Sequence, residues 1–259
     1  MRITTLVRTF AALCGAGVCA VTAAPAHAAD APTIVLVHGA FADTTSWDGV
    51  AAELRADGHR VVVPGNPLRG PAADAAVLER ALAEIDGPIV LVGHSYGGAV
   101  ITNASDPDVS ALVYIAAFAP QHGEPVQLAL DPIRYPGSRL LPPALAVSAA
   151  GTGLEASVDP GHFREVFAHD VGDDTVAGMI AHQRTLALTA NLEPSGPPAW
   201  ASVPSWYLVA GDDRVIPPAS QRAMAARMGA HTSELPASHA VLVSRPAAVA
   251  DLIADAAEH

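Results

Sequence analysis

Apolar runs and apolar stripes alternate along the first half of the chain. Thr33–Val37 is a continuous apolar run rich in β-branched residues, which is typical of a parallel strand buried on both faces. Trp47, Val50, Ala51 and Leu54 follow at positions i, i+3, i+4 and i+7, a spacing that predicts a helix with one apolar stripe. Strand and helix therefore succeed each other from the first element onward.

The same alternation continues to about residue 117. The pattern predicts strands over 60–63, 88–92 and 109–117, and a helix whose apolar face carries Leu78, Ala81, Leu82 and Ile85. Strands that alternate with helices in this way indicate a parallel sheet with helices on both faces. The predicted fold class is therefore α/β.

Between about residues 119 and 200 this alternation stops. The stretch is rich in proline and glycine, contains short helical pieces over 162–168 and 175–188, and shows no obvious strand. A segment of this length is more typical of a lid than of a structureless loop. We expect a helical lid inserted after the strand that ends near Ala117, within a single domain covering residues 29–259.

The last quarter of the chain restores the sheet. The pattern predicts a strand over 205–209, a helix over 219–228, a short strand before His239 and a final helix with Val249, Leu252 and Ile253 on one face.

Residues 1–28 have the features of a secretory signal peptide. Arg2 and Arg8 form a basic start, an apolar run follows, and Ala26-His27-Ala28 matches an A-x-A cleavage site. The apolar run is shorter than the roughly 20 residues of a membrane span. We therefore expect a secreted protein, cleaved near Ala28, with no membrane anchor.

The charge of the chain excludes some partners. The formal net charge is −12, and removing the first 28 residues takes away two arginines and no acid. The chain contains no lysine and its arginines are scattered. These features argue against nucleic acid as a partner.

Ser95 lies in the sequence context of a nucleophile elbow. The apolar run 88–92 leads into Gly93-His94-Ser95-Tyr96-Gly97, and small residues typical of a close-packed helix follow. A serine on a sharp strand-to-helix turn is exposed for attack, and side chains at Gly93 or Gly97 would prevent the close packing that the turn needs. Ser95 is the candidate nucleophile.

A serine hydroxyl needs a base, and the base needs an acid to orient it. On a strand-turn-helix elbow of this type the chain order is nucleophile, acid, base. Asp212 and Asp213 directly follow the predicted strand 205–209, and His239 precedes the last helix. Either aspartate could be the acid, and His239 is the candidate base.

Four motifs carry a resemblance to a known family: HGAFADTTSW (38–47), GHSYGG (93–98), PSWYLVAGDDRVIP (204–217) and SHA (238–240). With these four motifs in this order and spacing, the chain resembles compact α/β-hydrolases. It is most similar to the branch that contains plant methylesterases, hydroxynitrile lyases and small bacterial esterases, including pyrethroid-hydrolysing ones. The resemblance extends from Thr33 to Ile253.

The resemblance implies roles for the candidate residues. It assigns Ser95 as nucleophile, His239 as base, and Asp213 rather than Asp212 as acid, with Asp212 left as a turn residue or a hydrogen-bonding neighbour. It implies no metal and no organic cofactor. Acidic residues of the lid such as Asp170 are interpreted as solvated charges.

An oxyanion hole needs two N–H donors aimed at the developing negative charge. One donor is expected from Tyr96, the residue after the nucleophile. For the other, the resemblance implies Ala40, with Phe41 as the alternative. His38 is expected to brace this loop, and Phe41 also to line the substrate pocket.

The predicted function is hydrolysis of small to medium apolar carboxylic esters, with a small-molecule ester as the partner. Three alternatives stay open. A hydroxynitrile lyase would share the fold, but such relatives carry a lysine beside the base, where this chain has Ala240. A cofactor-free perhydrolase would form peracids, and a non-catalytic binding protein would show no acylation by an activated ester.

Overall fold

The computed structural model describes residues 31–151 and 153–259. The predicted signal peptide, residues 1–28, lies outside the described residues.

A six-stranded sheet forms the centre of the protein, and all its strand pairs are parallel. Its strands are β1 (Thr33–Val37), β2 (Arg60–Val62), β3 (Ile89–His94), β4 (Val109–Ile115), β8 (Ser205–Ala210) and β9 (His231–Leu235), and three further strands, β5 to β7, belong to the lid described below. The spatial order in the sheet is β2-β1-β3-β4-β8-β9.

Helices cover both faces of this sheet. On one face lie α1 (Asp48–Ala56), α7 (Val241–Ser244) and α8 (Pro246–Ala257), and on the other lie α2 (Pro71–Leu82), α3 (Tyr96–Asn103) and α6 (Pro218–Met228). The helices α4 (Pro160–Phe167) and α5 (Asp173–Ala181) belong to the lid. Short 3₁₀ helices span Thr44–Trp47, Val126–Leu130, Leu188–Asn191 and Ala199–Ala201. The predicted α/β class is confirmed.

The continuous apolar strands are explained by two cores. Ile34 and Leu36 of β1 pack into the core under α1 and α8, whereas Val35 and Val37 pack into the core under α2, α3 and α6. Because successive side chains of a strand point to opposite faces, a strand with helices on both sides needs apolar residues at every position.

The lid differs from the helical insertion that the sequence predicts. It contains the expected helices α4 and α5, but α5 ends at Ala181 rather than near residue 188. It also contains a three-stranded antiparallel sheet of β5 (Leu145–Ala150), β6 (Gly153–Val158) and β7 (Leu186–Ala187). The expectation of no strand was wrong because these strands consist mainly of small or exposed residues, which leave no strong apolar alternation.

None of the helices in residues 31–151 and 153–259 is both long and apolar enough to cross a membrane.

Candidate active site

Ser95 lies on the sharp turn between β3 and α3. Its backbone has φ +53° and ψ −121°, a conformation that is strained for a residue with a side chain. The turn is possible because its glycines leave room: a Cβ on Gly93 would lie 2.6 Å from the Gly97 carbonyl oxygen, and one on Gly97 would lie 2.5 Å from that of Val37. The elbow that the G-x-S-x-G pattern predicts is therefore formed.

The loop after β1 lies directly beside this elbow. β1 and β3 are parallel neighbours in register, with Val37 opposite Gly93, so their carboxyl ends meet at one edge of the sheet. A Cβ on Gly39 would lie only 2.8 Å from Ser95 Cβ and 3.0 Å from the His94 carbonyl oxygen. The absence of a side chain at Gly39 is what allows the loop to approach Ser95 this closely.

His38 holds the same loop in place, as the sequence predicts. Its Nε2 accepts a hydrogen bond from the backbone N–H of Asn66 at 3.0 Å, so the proton lies on Nδ1, which donates to the Gly39 carbonyl at 2.9 Å. The Asn66 side chain donates in turn to the His38 carbonyl at 3.0 Å. Burial lowers the pKa of His38, which keeps this imidazole neutral at neutral pH.

A continuous hydrogen-bonded chain connects the three residues of the predicted triad. The hydroxyl of Ser95 lies 2.8 Å from His239 Nε2, and His239 Nδ1 lies 2.7 Å from Asp213 Oδ2. A carboxylate can only accept, so Nδ1 carries the proton and Nε2 is left to accept the hydrogen of the serine. All three residues are buried, with at most 4% of their surface exposed.

Asp213, and not Asp212, faces the imidazole. Its Oδ1 accepts the backbone N–H groups of Val215 at 2.7 Å and Ile216 at 3.0 Å. Its Oδ2 accepts the side-chain amide of Gln221 at 2.8 Å in addition to His239. Asp212 is exposed.

Gln221 was not found by sequence reasoning. It is fully buried on α6, where its carbonyl oxygen also accepts the backbone N–H of Ala210 at 3.0 Å. A glutamine eight residues after an acid carries no motif, so only the packing of α6 against β8 reveals its contact with Asp213.

Ala40 and Tyr96 are the residues expected to supply the N–H groups of an oxyanion hole. Ala40 and Tyr96 line one cavity with Ser95, and the N–H of Tyr96, at the first position of α3, has no acceptor in its own helix. Within the described residues, the N–H of Ala40 donates to no protein acceptor. Phe41 follows with φ +61° and lines the same cavity.

Comparison with known proteins decides the family. Residues 34–252 match the model of the Alpha/beta hydrolase family. The chain belongs to this family.

Its relatives include enzymes that act on esters. The chain is 32% identical to a pyrethroid hydrolase of Sphingobium wenxiniae over 252 residues, which cover 87% of each protein. It is 36% identical to a carbendazim hydrolyzing esterase of Nocardioides over 140 residues, which cover 48% of this chain and 55% of that protein. The crystal structure of a pyrethroid hydrolase from Sphingobium faniae JZ-2 is similar with a TM-score of 0.76 at 28% identity, covering 88% of this chain and 97% of that one.

In this α/β hydrolase, His94 supports the imidazole from behind. Its Nε2 donates to the backbone carbonyl of His239 at 2.9 Å, and the two ring centroids are 4.8 Å apart. Burial, together with the charge that His239 would carry when protonated, holds the pKa of His94 well below its ordinary value. A neutral His94 therefore orients His239 without competing for the proton.

The lid also holds the loop that carries His239. Asp170 Oδ2 accepts the backbone N–H of Ser238 at 3.1 Å and the Ser244 hydroxyl at 2.8 Å. The N–H of Ala240 donates to the Phe167 carbonyl at 3.1 Å, and the Phe167 ring meets the His239 ring edge-on with centroids 4.7 Å apart. The interpretation of Asp170 as a solvated charge was wrong. The lid packs onto the loop between β9 and α7, and the Asp170 side chain is only 18% exposed.

The cavity at Ser95 has a volume of about 270 Å³. Its walls beyond the elbow come mostly from the lid and are largely apolar; they include Phe118, Leu130, Leu140, Leu145, Leu186 and Val215. The described residues contain no group of three or more His, Cys, Asp or Glu side chains placed to hold a metal ion.

Proposed function

We propose that the protein is a carboxylic ester hydrolase that works through Ser95, His239 and Asp213. The observation that carries the proposal is the buried chain of hydrogen bonds, 2.8 Å from Ser95 to His239 and 2.7 Å from His239 to Asp213. Because His239 presents an unprotonated Nε2 to the serine, the arrangement is ready to accept the hydroxyl proton.

The first step forms an acyl-enzyme. The Ser95 oxygen bonds to the ester carbonyl carbon while its proton moves to His239 Nε2, and the carbonyl electrons move onto the oxygen. The N–H groups of Ala40 and Tyr96 stabilise that oxyanion. The carbon–oxygen bond to the alcohol then breaks, and His239 returns the proton to the departing alcohol.

The second step uses water in place of the alcohol. Water gives its proton to His239 and attacks the acyl carbon, and the acid is released as Ser95 recovers its proton. Asp213 accepts the Nδ1 hydrogen of His239 and stabilises the imidazolium that forms in both steps.

The substrate class we propose is a small to medium apolar ester. The walls of the Ser95 cavity beyond the elbow come mostly from the lid and are largely apolar. Such a lining favours neutral, compact molecules over polymers. The relatives named as pyrethroid hydrolase and carbendazim hydrolyzing esterase support a small-molecule ester.

The test is a panel of 4-nitrophenyl esters with acyl chains of two to twelve carbons, assayed on wild type and Ser95→Ala. We expect the highest kcat/KM on short chains and a loss of about 10⁶ in kcat in the variant. A burst of nitrophenolate equal to the enzyme concentration would report the acyl-enzyme. Turnover by Ser95→Ala near the wild-type rate, or no acylation of wild type, would refute the proposal.

We also propose that the protein is exported and that residues 1–28 are removed. The basic start, apolar run and A-x-A site support this. N-terminal sequencing of protein recovered from the culture medium should begin at Ala29; an intact N-terminus on cell-retained protein would contradict it.

A further inference from the structure

Side-chain hydrogen bonds hold the residues on both sides of the strained turn at Ser95. Ser95 has φ +53°, and a strained residue of this kind persists only where the surrounding structure fixes it. His94, before it, donates to the His239 carbonyl at 2.9 Å. Tyr96, after it, donates its hydroxyl to Asp74 Oδ2 at 2.8 Å. This second hydrogen bond has no part in the proton transfers at the site.

Asp74 is a fixed anchor because the protein surrounds its carboxylate with donors. It lies in the first turn of α2 and is only 1% exposed. Both of its oxygens accept the backbone N–H of Arg69 at 3.0 Å, and Oδ2 also accepts that of Gly70 at 3.4 Å. The same segment is tied to the lid, since the Leu68 carbonyl accepts the N–H of Ala187 at 3.0 Å. The position of the carboxylate therefore does not depend on the hydroxyl that it accepts.

The Tyr96 hydroxyl is a permanent donor to this anchor. The Tyr96 residue is buried, and burial together with the charge of Asp74 raises the pKa of the hydroxyl well above its ordinary value. The hydroxyl therefore keeps its proton through the neutral and mildly alkaline range. A buried carboxylate that loses such a donor is left partly unsatisfied, so the pair holds one geometry.

The peptide unit between Ser95 and Tyr96 carries the N–H that is expected to stabilise the oxyanion. Its oxygen end is held by backbone, because the Ser95 carbonyl accepts the N–H groups of Gly98 and Phe118 at 3.0 Å each. Its nitrogen end belongs to Tyr96, the first residue of α3. The hydroxyl at the far end of that residue is the group that Asp74 holds.

We propose that Asp74 is a positioning residue for the oxyanion hole: it holds Tyr96 by its hydroxyl and thereby keeps the Tyr96 N–H in place. This inference rests on the proposed function for the reaction that the N–H serves. Asp74 touches neither the substrate carbonyl nor the transferred proton, and it acts only through Tyr96.

Tyr96→Phe tests the inference because it removes the hydroxyl and keeps both the ring and the backbone N–H. Tyr114→Phe is the matched control. Tyr114 is fully buried on β4, its hydroxyl lies 3.0 Å from the Thr102 hydroxyl of α3, and it is not among the residues that line the Ser95 cavity. Both variants therefore lose one buried, hydrogen-bonded hydroxyl next to the same helix.

The kinetic test is steady-state hydrolysis of 4-nitrophenyl butanoate. We expect Tyr96→Phe to lower kcat about tenfold with KM within twofold of wild type, because the N–H stabilises the oxyanion more than the bound ester. The loss is smaller than the roughly 10²–10³ for a missing donor because the oxygen end of the peptide unit stays anchored. Tyr114→Phe should keep kcat within twofold. Equal kcat in the two variants, or a change confined to KM, would overturn the inference.

Removing the anchor itself should have the same effect. Asp74→Ala is expected to lower kcat about tenfold, and the double variant with Tyr96→Phe should lose no more than either single variant, because both changes break one interaction. Thermal melts establish that each variant is folded. Losses that multiply in the double variant would overturn the inference; if Asp74→Ala does not fold, the comparison of Tyr96→Phe with Tyr114→Phe decides.

Binding of butane-1-boronic acid separates this inference from the esterase proposal. The Ser95 oxygen bonds to boron, its proton moves to His239, and the negative charge on the tetrahedral boronate mimics the oxyanion. We expect the Kd to rise about tenfold in Tyr96→Phe and to stay within twofold in Tyr114→Phe. If wild type hydrolyses no ester but shows this difference, the proposed function fails and the role of Asp74 stands. If wild type hydrolyses the ester and both variants match in kcat and Kd, the role of Asp74 fails alone. If wild type neither hydrolyses the ester nor binds the boronic acid, both fail.

Discussion

Replacing Gly39 by alanine tests how closely the loop after β1 must approach Ser95. The added Cβ would lie 2.8 Å from Ser95 Cβ, 3.0 Å from the His94 carbonyl oxygen and 3.1 Å from His94 Nδ1. Ser95 and His94 belong to the elbow between β3 and α3, which cannot yield because a Cβ on Gly93 or Gly97 would already lie within 2.6 Å of a backbone oxygen. The loop after β1 is therefore the part that has to withdraw.

The size of the effect follows from these distances. Carbon atoms in contact prefer separations of about 3.5–4.0 Å, so the loop must move by about 0.7 Å or more. The N–H of Ala40 moves with it. A misplacement of about 1 Å costs about 10²-fold, and loss of one oxyanion donor costs about 10²–10³-fold in kcat. We expect Gly39→Ala to lower kcat by about 10², which corresponds to about 2.7 kcal/mol of transition-state stabilisation.

The assay is steady-state hydrolysis of 4-nitrophenyl acetate, with a thermal melt to establish that the variant is folded. Gly172→Ala, where a Cβ meets no atom within 4 Å, is the control and should keep wild-type kinetics. If Gly39→Ala is folded and keeps kcat within threefold of wild type, the reasoning on the oxyanion loop is refuted.

Three further predictions follow from the hydrogen bonds and pKa shifts of the site. Asp213→Asn should lower kcat by about 10⁴, because an amide no longer fixes the proton on the Nδ1 side of the imidazole; a loss below tenfold in steady-state assays would contradict this. Asp170→Ala, which releases Ser238, should lower kcat about tenfold with little change in KM. Asp170→Asn keeps an acceptor for the Ser238 N–H, so it should recover most of the lost activity and the wild-type pH profile. Equal losses of kcat in both variants would contradict this prediction. The pKa values of His38 and His94 are lowered in the folded protein, so below pH 6.5 the unfolded chain binds more protons than the folded chain. The free energy of unfolding should therefore fall as the pH drops, by up to about 1.4 kcal/mol per pH unit for each imidazole. Urea denaturation at pH 7.5, 6.5 and 5.5 measures this slope, and a flat profile would contradict it.

The local chemistry of the chain was readable from its sequence. Runs such as Thr33–Val37 predict buried parallel strands because a strand covered on both faces has no polar position. Gly93 and Gly97 predict a crowded turn because only glycine lets two backbones approach so closely, and the structure has that turn. The chain order predicts that Ser95, an aspartate after the strand 205–209 and His239 meet at one edge of the sheet, and the resemblance favours Asp213 over Asp212.

Tertiary packing decided what no local pattern carries. The lid sheet was missed because strands of small, exposed residues such as Leu145–Ala150 show no alternation. Gln221 reaches Asp213, and Asp170 reaches Ser238, only once α6 and the lid have packed against the sheet and the loop after β9. The sequence by itself determined which residue types stand at the ends of the strands. Only the folded chain decided which buried polar groups satisfy one another, because a buried donor or acceptor takes its partner from whichever element packing brings within about 3 Å.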